Sequence, residues 1–103
     1  MRVLISAEGQ HDPPGQYMVV DGHGLLIDLT GVAGTLVDPT ILRVEWGPSV
    51  ITGQPQEAGI ITRRGEARQQ PFYDKALLTP YINAFRARLA VLTAVSHETA
   101  GAN

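Results

Sequence analysis

The sequence predicts an α+β chain, with an N-terminal antiparallel β-meander or small β-sandwich of short strands and one C-terminal α-helix. Three observations predict it. Short apolar runs recur before Gln70-Pro71, each closed by glycine, proline or aspartate. Glycine and proline, eleven and seven in the whole chain, fall mainly before that point. After it, apolar residues change from alternating to helical spacing. At 103 residues the chain fits one domain. Residues 1–75 read as a β-rich unit and 76–97 as a helix, either part of the same unit or an oligomerisation element. Residues 98–103 read as a flexible tail.

The strands follow in order. Residues 2–6 form an apolar, β-branched run, and the loop Glu8 to Gly15 breaks it with Pro13-Pro14. Tyr17-Met18-Val19-Val20 is a second strand, and Asp21-Gly22 a tight turn in which glycine accepts positive φ. Leu25 to Leu29 is a third, followed by turn residues Gly31 to Gly34 and a short run at Thr35-Leu36-Val37. After Asp38-Pro39, Arg43 and Glu45 alternate with Leu42, Val44 and Trp46, the period-2 pattern of a half-buried strand. Gly47-Pro48 ends it. Ala58 to Arg63 is the next strand, Arg64-Gly65 a hairpin tip, and Glu66 to Gln69 a polar edge strand. The six aromatics, Tyr17, Trp46, Phe72, Tyr73, Tyr81 and Phe85, are expected to anchor the core.

Thr79 is the expected N-cap of the helix, with Pro80 at the first helical position, where its missing N–H costs nothing. From there to about His97 no residue breaks a helix. Leu78, Ile82, Phe85, Leu89 and Leu92 recur at spacings of 4, 3, 4 and 3, a heptad-like seam flanked by Ala84, Ala87, Ala90 and Ala94. The seam can pack on the chain's own sheet or on copies of itself. Intrachain packing for one part and self-association for the rest is the expectation, because so few heptads are marginal for a free-standing coiled coil.

Composition removes several function classes. Net charge is −2 and the pI about 5.8, so a basic face for nucleic acid is not expected. The charge is uneven: residues 1–50 carry two basic and six acidic groups, residues 51–103 six and four. With no cysteine, disulfides, thiolate nucleophiles and cysteine zinc sites are excluded. No run approaches the about 18 apolar residues of a membrane span. The opening apolar stretch is too short for a signal peptide, so secretory export is not expected.

Candidate chemistry is sparse. His11-Asp12 and Asp21-Gly22-His23 place carboxylates beside imidazoles, as a metal site or a general base would. Both lie in turns, where backbone geometry already asks for Asp and Gly. Ser6, Ser49 and Ser96 stand outside any G-x-S-x-G elbow. Gly22-His23-Gly24 and Gly31-Val32-Ala33-Gly34 lack the helices that phosphate or nucleic-acid loops need, and read as strand connectors. No catalytic, cofactor or metal residues are assigned. Arg63, Arg64 and Arg68 gather at the hairpin tip, as a solvated edge or as a contact for an acidic partner.

An ordered series then resembles a known arrangement. Val20-Asp21-Gly22-His23-Gly24, Asp28-Leu29-Thr30-Gly31, Ile41 to Trp46, Gly59-Ile60 and Pro80-Tyr81-Ile82-Asn83-Ala84-Phe85 follow one another along the chain. They resemble small tail proteins of tailed bacteriophages encoded beside tail-fibre genes, with V-D-G-x-G, D-L-S-G, I-x-x-V-x-W and P-x-I-D-A-W steps. The likeness spans roughly residues 17 to 95. It departs at Ile61-Thr62 and Arg64-Gly65, where such chains often place a glutamate and an Asp-Gly turn, and at Asn83 and Phe85.

The resemblance implies a virion or assembly role in a tail tip, baseplate or fibre attachment, not an enzyme. It implies tail or fibre proteins as partners and a homo-oligomer, a trimer first, since fibre-linked parts are commonly trimeric. The expected location is the virion tail, and the host cytoplasm during assembly. The expected interface is Leu78, Ile82, Phe85, Leu89 and Leu92 with Arg63, Arg64 and Arg68. An assembly chaperone that leaves before maturation is the second class, and a small hydrolase or metal enzyme the third.

Overall fold

In a computed structural model the structure describes residues 1–7, 15–33, 36 and 38–101, with side chains through residue 94. Six strands, β1 (Val3–Ser6), β2 (Gln16–Val20), β3 (His23–Ile27), β4 (Ile41–Pro48), β5 (Glu57–Arg63) and β6 (Gln70–Phe72), form one antiparallel sheet. A 3₁₀ turn (Lys75–Leu78) then leads into the helix α1 (Thr79–Gly101). The chain is therefore α+β as expected. The strand order is β3-β2-β1-β4-β5-β6, so two three-strand meanders meet at the central β1–β4 pair. The expected loop with His11-Asp12 and the run at Thr35 and Val37 lie outside the described residues.

The period-2 patterning sorts the sheet into two faces. Val3, Ile5, Met18, Val20, Ile27, Val44, Trp46, Ile61 and Phe72 point to one face and are all buried. Leu78, Tyr81, Ile82 and Phe85 cover that face, and Leu29 and Leu36 of the β3–β4 connection join the same core. Each large apolar side chain buried there contributes roughly 1.5–3 kcal/mol. Of the six aromatics, Trp46, Phe72, Tyr81 and Phe85 anchor the core. Tyr17 and Tyr73 do not: they are 42% and 61% exposed. Tyr17 alternates onto the opposite face, and Tyr73 follows the last residue of β6.

Turn chemistry fixes the ends of the strands. Asp21 (φ 47°) and Gly22 (φ 85°) are both left-handed, the type I′ geometry of a two-residue hairpin. The Asp21 carboxylate also accepts a hydrogen bond from the Arg2 N–H at 2.9 Å, which ties this turn to the start of β1. The third strand begins at His23 rather than Leu25, because so short a turn lets pairing resume at once, with His23 opposite Val20.

Two further differences have packing causes. The edge strand expected at Glu66 to Gln69 lies instead at Gln70–Phe72. There Phe72 stacks 5.4 Å from Trp46 at 37°, and its ring lies over Gly59 on β5. Thr79 is not an N-cap: its φ of −54° and ψ of −46° are helical. Asp74 caps instead, accepting the Ala76 N–H at 2.9 Å, and the 3₁₀ turn carries Leu78 fully into the core. At its other end the helix passes His97 and runs to Gly101, the first residue that favours termination.

The Gly59–Phe72 contact makes a stability prediction. A Cβ on Gly59 would come within 2.2 Å of the Phe72 ring, which is buried and has no room to yield. Gly59→Ala should cost about 1–3 kcal/mol, as overpacking does, whereas Gly31→Ala, where a Cβ meets nothing within 4 Å, should be close to neutral. Urea unfolding of the two variants checks the contrast.

Candidate interaction surface

The helical seam divides at the sheet boundary. Leu78, Ile82 and Phe85 are 0%, 6% and 2% exposed, so they belong to the chain's own core. Leu89 is half-buried against that core. Leu92 is 38% and Val91 52% exposed. Beyond Leu89 the described side chains of α1, Ala90 to Ala94, are all exposed, so its later turns gain no cover from the chain's own sheet. From Ala87 to Val95 the sequence is apolar except for Arg88 and Thr93, so apolar residues surround the helix instead of lining one stripe. Val91 was not legible as part of a surface, because it lies off the heptad seam.

The three arginines also separate. Arg63 donates through Nη1 to Asp38 Oδ2 at 2.9 Å, which binds it back to its own chain. Arg64 and Arg68 remain exposed. Asp38 is the centre of a clasp. Its Oδ1 accepts from the Thr40 hydroxyl and N–H and from the Ile41 N–H. The Thr40 hydroxyl and N–H, and then Arg63, hold its carboxyl down at about 2. Asp28 and Thr30 repeat the same Asp-x-Thr clasp at the other end of the β3–β4 connection. There the Thr30 hydroxyl and N–H lower the Asp28 pKa.

The sheet's second face is not covered by any described element. Leu4, Val19, Leu26 and Ile60 are half-buried on it, around the Arg43–Glu45 ion pair. The Tyr17 ring lies across this face over Gly24, where an added Cβ would come within 2.0 Å of its hydroxyl. At the edge, Ala84 and Arg88 of α1 face Gln16, Ile27, Asp28 and Thr30 across an open cleft of about 830 Å³.

Among the described residues, the histidine and serine candidates assemble into no constellation, and His11-Asp12 lies outside them. Asp21 serves the β1 backbone, His23 is exposed on β3, Ser6 lies within β1, and Ser49 sits in a turn at φ 63°. The Ser96 side chain lies outside the described ones. Among the described residues no group of three His, Asp or Glu side chains could hold a metal ion, and no helix is long and apolar enough to cross a membrane. Compared with protein-family models, curated proteins and solved structures, the chain matches none.

The Asp38 clasp has a pH signature. Its folded pKa is depressed from 3.8 to about 2, so its contribution is complete above pH 3.8 and is lost as pH falls through about 2. Asp38→Asn should melt below the wild type near neutral pH, and the gap should close between about pH 4 and 2. Melting temperatures across that range check it.

Proposed function

We propose that this chain is a structural component of a bacteriophage tail tip, baseplate or tail-fibre attachment, acting by protein–protein docking within a homo-oligomer. One observation carries the docking half of this reading. After Leu89, which is half-buried against the core, α1 presents exposed Val91 and Leu92 with no charged residue from Leu89 to Ala94. Contiguous exposed apolar surface of this kind is a common mark of a docking face. The phage assignment rests on the ordered motif resemblance. In the structure each of these steps has a scaffolding task. Asp21-Gly22 is the hairpin turn, Asp28-Leu29-Thr30 a clasp, Trp46 and Gly59 parts of one stacked cluster, and Pro80 to Phe85 the core-facing turns of the helix.

In this role the first turns of α1 hold the helix on the sheet, and the later turns engage copies or a fibre. Exposed Arg64 and Arg68 offer a contact to acidic groups of an adjoining tail protein. The working locations are the virion tail and, during assembly, the host cytoplasm.

Two substitutions on one helix separate docking from folding. Leu92→Glu should leave the melting temperature within about 2 °C of wild type, as exposed substitutions do, yet reduce the species seen by light scattering to the 11.1 kDa monomer. Phe85→Ala should cost about 3–5 kcal/mol of stability. Wild-type protein that stays monomeric at high concentration would count against the docking surface. Mass spectrometry of purified particles tests the virion assignment: presence supports a structural part, and absence moves the chain to an assembly chaperone.

A further inference from the structure

We infer that β3 is a self-pairing edge, through which a second copy of this chain extends the sheet from six strands to twelve. This deepens the docking reading by naming the partner and the contact.

The two edges of the sheet are built differently. At one, β6 has only three residues, with Pro71 at its centre. Short length and proline are among the usual devices that stop a strand from recruiting another. At the other, β3 reads His23-Gly24-Leu25-Leu26-Ile27 and has no proline and no Asp, Glu, Lys or Arg. It carries no bulge either, since it pairs with β2 in unbroken register. One open edge and one blocked edge allow a single addition. A copy that joins through its own β3 consumes both open edges, and the assembly closes as a two-fold dimer.

The hydrogen-bond phase of β3 fits that partner. The hairpin turn has two residues, so His23 opposite Val20 is a hydrogen-bonded pair. By alternation Leu25 and Ile27 also bond inward to β2, while the N–H and C=O of Gly24 and Leu26 point outward. Among the described residues none of these outward groups has a partner. Two antiparallel β3 strands centred on Leu25 place Gly24 opposite the other copy's Leu26, twice, and all the outward groups pair. Leu25 then meets its symmetry mate on the core face. On the opposite face each Leu26 comes beside a Tyr17 ring, which already lies over Gly24. With no formal charge on either strand, the pairing meets no like-charge repulsion.

A five-residue strand pair alone falls short of the ~1,000 Å² of a stable interface. The helix supplies more. α1 packs over β2 and β3, next to this edge. A two-fold axis normal to the sheet keeps both helices on one face and sets them antiparallel, each with Val91 and Leu92 uncovered.

The chain has no cysteine, so a single introduced thiol reports the contact cleanly. Leu25→Cys should give a disulfide-linked dimer under mild oxidation, and His23→Cys, opposite Ile27 in this register, should not. In the wild type, the amide protons of Gly24 and Leu26 should gain at least tenfold protection from hydrogen exchange between dilute and concentrated solution. The Leu25 amide, bonded to β2, should change far less. If wild-type protein associates while Leu25→Cys stays uncrosslinked and the Gly24 and Leu26 amides exchange equally at both concentrations, the edge is not the contact. The docking reading would then rest on the helix alone. If the wild type never associates, both fail.

Discussion

One helix must cover a sheet of six strands, and the remaining features of the structure follow from how that is achieved. An antiparallel sheet tolerates water on one face but not on both. The inward positions of β1 to β6 are therefore apolar without exception where they are buried, from Val3 to Phe72. The first turns of α1 cannot reach across six strands by themselves, so Leu29 and Leu36 of the long β3–β4 return complete the cover. Leu78, Tyr81, Ile82 and Phe85 fall on one side of α1 because they face that sheet. Beyond Leu89 the described side chains are all exposed, and the one-sided pattern stops.

That return connection is a second constraint. It runs from the edge strand β3 back to the centre of the sheet and carries two core leucines, so its ends must be placed accurately. Asp28-Leu29-Thr30 and Asp38-Pro39-Thr40 do this by one device, a carboxylate that accepts both the N–H and the hydroxyl of the threonine two residues on. At the second clasp Arg63 and the Arg64 N–H, which donates to the Thr40 carbonyl at 2.7 Å, tie the connection to β5. An arginine that reads in sequence as a probe for partners is here committed to its own fold.

The parts legible in sequence were those set by local periodicity. Alternation in β4 is visible as Arg43 and Glu45 against Val44 and Trp46, and heptad spacing marks α1. What stayed hidden was set by contacts between distant residues. Nothing local indicates that Phe72 must lie over Gly59, yet this pairing moves the last strand from residues 66–69 to 70–72. Thr79-Pro80 is a sound helix start in isolation. Asp74 prevails because starting earlier buries Leu78 completely. The candidate surface was half legible: the seam showed Leu92, but the spacing could not show that cover by the core ends at Leu89 or that Val91 is exposed beside it. The open edge of β3 leaves only a negative trace in sequence, five residues without charge or proline.

The two edges of the sheet are unlike. Tyr17 over Gly24 and Phe72 over Gly59 are the same arrangement, an aromatic ring laid across a strand glycine, one near each edge and on opposite faces. Near β6 the ring is buried by the core. Near β3 it is exposed, beside backbone groups that have no partner among the described residues, and Ala84 and Arg88 of α1 border the cleft at that edge. A monomer selected for solitary stability would have little reason to leave ring, strand edge and helix uncovered together. Their concentration at one edge, while the opposite edge is short and carries proline, would suit the proposed addition of a neighbour in one direction.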